Sequence, residues 1–145
     1  MKTRSIANEL INKFVGRWNT DGRILPTATS EEIKISGTDT YEWLPGEFFL
    51  LHRVNVLVGD DKNQTLEIIG FDSDKNHYTL QHYDNKGNSG FMTGHFDQGR
   101  WTFLGETLRF TGEFSENDKV FSGVWEKSED GKNWTHFMDI RLVKP

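Results

Sequence analysis

The sequence predicts an all-β protein: a single up-and-down antiparallel β-barrel of about ten strands, opened by a short N-terminal helix that caps one end. Three observations predict it. Only one segment has a helical apolar period. From Pro45 onward, turn chemistry recurs about every 7–15 residues, which leaves no room for the crossovers of a parallel sheet. The interior must also be made of rings, because 34% of the 145 residues are hydrophobic while 11 Phe, 5 Trp and 3 Tyr are present. Aromatic side chains favour strands and fill space efficiently.

The elements follow in chain order within one domain, residues 1–145. Residues 5–14 place Ile6, Leu10, Ile11 and Phe14 on one helical face, with Ser5 as N-cap and Gly16 as stop. Asn8 at the third helical position does not complete the usual capping box. Strands run from about residue 15 to 143, the first at Gly16-Arg17-Trp18. Turn clusters at Asp21-Gly22, Pro45-Gly46, residues 59–63, 73–76, 85–88, 97–99, Gly105, 116–118 and 129–131 separate apolar runs at 48–58, 66–71, 77–83, 91–96, 101–104, 107–114, 120–126 and 134–143. Twist closes so long a meander on itself and removes its exposed edges.

Alternation assigns the inward faces. His52 shares the apolar even phase of 48–56, and Glu67 marks the outside of its strand. Tyr78, Leu80 and His82 point inward together, as do Leu108, Phe110 and Phe114. In the last strand Trp134, His136, Met138, Ile140 and Leu142 oppose Asp139 and Arg141.

Composition removes several functions. Seventeen basic against 22 acidic residues give a net charge of −5, which argues against nucleic acid as a partner. Zero cysteines exclude a thiol nucleophile, a disulfide framework and a Cys-type zinc site. No apolar run spans a membrane, and Asn8 and Glu9 interrupt any signal-like stretch, so a cytoplasmic protein is expected. No Gly-x-Ser-x-Gly elbow, phosphate loop or dinucleotide fingerprint occurs. Asp72-Ser73-Asp74 opens like a calcium loop, but His77 and Tyr83 stand where Gly and Glu are required. No catalytic residue is assigned.

Helix, then Gly16-Arg17-Trp18, then a meander resembles the calycin superfamily of lipocalins and fatty-acid-binding proteins. That resemblance implies that Trp18 closes the barrel floor with a late basic residue, Arg141, over its ring. Three further segments resemble the bacterial DUF1579 family: Trp43-Leu44-Pro45-Gly46-Glu47-Phe48, Ile69-Gly70-Phe71-Asp72, and Trp125 with Asp130-Gly131-Lys132-Asn133-Trp134. The resemblance implies a lipocalin-like barrel and no activity, since the family's role is uncharacterised.

A ten-stranded barrel is wide enough to keep a cavity. The expected occupant is a small hydrophobic or amphipathic molecule, bound without catalysis by Tyr41, Trp43, His52, Tyr78, His82, Phe110, Trp125, Trp134, His136 and Met138. No cofactor or metal is expected. The alternatives are haem held by His136, in the manner of the similar nitrobindins, an enzyme using a luminal His, and a packed interaction module. His77 and His95 sit by turns and are expected in solvent. A homodimer is the expected assembly on symmetry grounds alone.

Overall fold

The computed structural model describes residues 2–145. Ten antiparallel strands form one closed barrel, each paired with its sequence neighbour, and β1 closes against β10. They are β1 Gly16–Ile24, β2 Ile33–Trp43, β3 Leu50–Val58, β4 Asp61–Asp72, β5 His77–Asp84, β6 Ser89–Asp97, β7 Arg100–Leu104, β8 Leu108–Ser115, β9 Val120–Lys127 and β10 Thr135–Val143. Among the described residues no helix is long and apolar enough to cross a membrane.

Helix α1, Ile6–Ile11, runs into a single tighter turn, Asn12–Phe14. Two expectations change here. Asn8 does serve the cap, since its Oδ1 accepts the Ser5 backbone N–H at 2.9 Å. Ile6 is 74% exposed, and Ala7 takes its place on the inner stripe with Leu10, Ile11 and Phe14, the other three residues of the face expected. That stripe drops Phe14 into the barrel, where its ring meets Tyr41, Trp101, Phe114 and Phe121 at centroid distances of 4.7–5.4 Å.

Phe14 is thus the centre of a solid floor. Trp18 is fully buried beside it, and its Nε1 donates to the Phe14 carbonyl at 2.8 Å. The Tyr78 hydroxyl donates to the carbonyl of Ala7, and Trp43 Nε1 donates to Asn12 Oδ1 at 2.7 Å, so both ends of the helical segment are tied to the barrel.

Asp21-Gly22 is strand rather than turn. Gly22 lies within β1 opposite Ile140, and a Cβ there would come 2.4 Å from the Asp139 carbonyl oxygen. Gly112 and Gly123 face each other across β8 and β9, with the Phe110 ring lying over both. Strand β4 likewise begins at Asp61, earlier than expected, because the preceding turn needs only Gly59 and Asp60.

Candidate functional site

Burial of the inward-facing side chains is uneven along the barrel. Near the helix, Trp18, Tyr41, Leu50, Ile69, Tyr78, Leu80, Trp101, Phe110, Phe121 and Leu142 are all buried. Towards the opposite end, inward-facing His52, Val54, Thr65, Glu67, His82, Phe103, Trp125, Met138 and Ile140 are only partly buried. The floor around Phe14 is packed, although Trp43, Phe71, Phe96 and Phe114 at its edge are partly buried, and at the far end Ile35 and Val56 are buried while the other inward residues keep partial exposure.

At the boundary lies a polar cluster. His52 Nε2 meets Asp39 Oδ2 at 2.6 Å, and its Nδ1 meets Glu67 Oε1 at 2.9 Å. Thr20 donates its hydroxyl to the other oxygen of Asp39. The register explains the convergence, because Tyr41, His52, Glu67 and His82 are successive partners across β2 to β5, with Asp39 one inward position from Tyr41. An imidazole bonded to a carboxylate at each nitrogen donates from both and is therefore a cation. Burial alone would lower the His52 pKa, but the hydrogen bonds and charges of Asp39 and Glu67 override it and raise it to about 9. Burial, then the same two carboxylates, push the Tyr41 hydroxyl well above the usual phenol range. With both nitrogens occupied, His52 offers no lone pair to a metal.

Glu67 therefore corrects the assignment of its strand. It faces the lumen because His52 supplies the partner that makes burial of a carboxylate tolerable. His82 also points inward, with its ring over Gly90, and makes no hydrogen bond among the described residues. Phe110, Trp125 and Met138 share the inner face through their register pairs, and the Phe110 and Trp125 rings lie 5.2 Å apart.

Of the expected ligand-binding residues, Tyr41, Trp43, Tyr78 and Phe110 belong to the packed floor, and Trp134 and His136 lie outside the barrel. A bulge between His136 and Met138 reverses the phase of β10, so His136 bonds Asp139 on the outer face at 2.6 Å. Trp134, just before that strand, stacks outside under the Arg109 guanidinium at 4.5 Å, and Arg109 is paired with Glu126. His136 is thus outside the lumen and does not fit the role of a luminal haem ligand. Closure of the floor also changes hands. Arg141 is exposed, and Lys144 supplies the cation, its Nζ 4.9 Å from the Trp18 ring and 3.0 Å from the Val15 carbonyl oxygen. His77 and His95 sit together at the helix end of the barrel wall, with ring centroids 5.7 Å apart.

Asp39, Thr20 and Lys144 escaped the sequence reading. The alternation Asp39, Tyr41, Trp43 carried the signal for Asp39, whereas Lys144 lies beyond the last strand and Thr20 has no distinguishing neighbour. Two depressions of about 520 and 490 Å³ lie across β1, β10 and β9 and beside the Ser128–Asn133 turn; in the first, Arg23 and Asp139 already satisfy each other at 2.9 Å.

The family described as "Protein of unknown function (DUF1579)" matches residues 5–144. No curated protein matches the chain in sequence. A crystal structure of Rv2717c from M. tuberculosis is similar in fold, with a TM-score of 0.71 at 10% identity and 99% of each chain covered.

Proposed function

The chain belongs to the DUF1579 family of proteins of unknown function, and on that premise we propose that it binds a small amphipathic molecule in the end of its barrel away from the helix. One observation carries the reading: inward-facing Val54, Trp125, Met138 and Ile140 keep partial exposure above a floor in which Phe14, Trp18, Leu50 and Trp101 are buried. Apolar and aromatic walls above a small polar base are the usual make-up of a ligand pocket. Nothing in the arrangement presents an activated nucleophile, so binding rather than turnover is the function supported best.

Titration with the neutral fluorophore N-phenyl-1-naphthylamine tests it. Saturable blue-shifted emission with energy transfer from tryptophan is expected. Val54→Trp, which fills the lumen, should abolish it, and Phe91→Ser on the outer wall should not. Unsaturable binding, or binding indifferent to Val54→Trp in a folded variant, would overturn the proposal.

A further inference from the structure

The lumen's charge is lopsided, and this selects among amphipathic molecules. On the inward phase of β1 to β10 the deep ionisable groups are Asp39, His52, Glu67 and His82. One imidazolium held between two carboxylates leaves one negative charge uncompensated. Lys127 is the sole Lys or Arg on that phase, and it stands at the rim with its Nζ 5.3 Å from the Phe137 ring. Rim residues Asp61 and Asp84 add no positive charge. Asp61 is engaged by Lys86 at 2.7 Å, and Asp84 accepts backbone N–H groups of its own hairpin.

The uncompensated charge has an address. Glu67 Oε1 accepts from His52, whereas Oε2 has no hydrogen-bond partner among the described residues. The Glu67 side chain is 14% exposed, and Oε2, unlike Trp101 Nε1, is not sealed from solvent. A carboxylate oxygen so placed gains from a donor and more from a cationic one. His82, the register partner of Glu67 on β5, lays its ring over Gly90 on β6 and makes no hydrogen bond among the described residues. The barrel order sets β9, which carries Trp125 on its inner face, on the wall opposite β4. An aromatic face opposite a carboxylate suits an ammonium group joined to an apolar body.

Resting on the binding proposal above, we infer that the lumen selects an amine-bearing amphiphile, its ammonium donating to Glu67 Oε2 and its apolar part lying against Trp125, Met138 and Ile140. A fatty acid is disfavoured, because its carboxylate would be set against Glu67 with no luminal Lys or Arg to meet it.

Three dansyl probes with the same alkyl chain and a terminal amine, alcohol or carboxylate test the inference on the wild-type protein at neutral pH. Affinity is expected to fall in that order, with the amine bound at least about tenfold more tightly than the carboxylate. Glu67→Gln should bring the affinities of the amine and carboxylate probes together. Equal or tighter binding of the carboxylate overturns the inference and leaves the binding proposal standing. The same holds if the amine preference survives in folded Glu67→Gln. Failure of every probe, the neutral fluorophore included, overturns both.

Discussion

The His52 ring lies flat on the Tyr41 ring, with centroids 3.9 Å apart and planes 7° from parallel. The two are direct partners across β2 and β3, so the pleat itself brings them face to face. The stack shields one face of the imidazolium while Asp39 and Glu67 hold its edges.

That arrangement makes stability depend on pH. His52 is raised from 6.5 to about 9 in the fold, so its contribution is complete below the unfolded value and is lost as pH climbs through the folded one. Thermal melts of wild type should weaken between those two values by about 3 kcal/mol. His52→Gln should flatten the dependence in that window. A variant with the wild-type slope would refute the assignment.

Lys144, rather than Arg141, covers Trp18. Lys144→Ala is expected to cost about 1–2 kcal/mol in urea unfolding, through the lost cation–π contact and the bond to Val15. Arg141→Ala should stay within about 0.5 kcal/mol of wild type. The reverse ranking would return the closing role to Arg141.

Gly123 has no room for a side chain, since a Cβ would come 2.2 Å from the Thr111 carbonyl oxygen and 2.6 Å from the Phe110 ring. Gly123→Ala should destabilise by about 2–3 kcal/mol, whereas Gly87→Asn, where a Cβ meets open space and the φ of +83° is one Asn tolerates, should cost about 1 kcal/mol. Equal unfolding midpoints for the pair would contradict the close approach.

The Tyr78 hydroxyl holds the helix through the Ala7 carbonyl. Tyr78→Phe keeps the ring packing and removes that bond, for about 1 kcal/mol of stability. Limited proteolysis should then cut within residues 2–12 sooner, while the strands stay protected. Unchanged cleavage would show that apolar packing alone docks the segment.

Much of the barrel was legible because alternation and turn chemistry are local. The even inward phase of His52, Tyr78, His82 and Phe110 could be read from a few residues each. Glu67 was misplaced because its partner comes from another strand, and an isolated carboxylate on a short apolar run reads as surface. His136 was misplaced because one extra residue in β10 is invisible without its neighbour β9. The polar cluster itself depends on register across four strands, β1 to β4, and no linear spacing encodes it.

The pairing of β1 with β10 links residues more than a hundred positions apart, as Arg23 and Asp139 show with a separation of 116. A ribosome delivers the chain in the opposite order to its needs. Until Thr135–Val143 emerge, β1 and β9 both offer raw edges, and Trp18 waits for Lys144. Such edges recruit other chains or chaperones. Sealing the barrel is therefore a late, all-or-none event of biosynthesis, in which the last strand made is the one that ends the nascent chain's exposure.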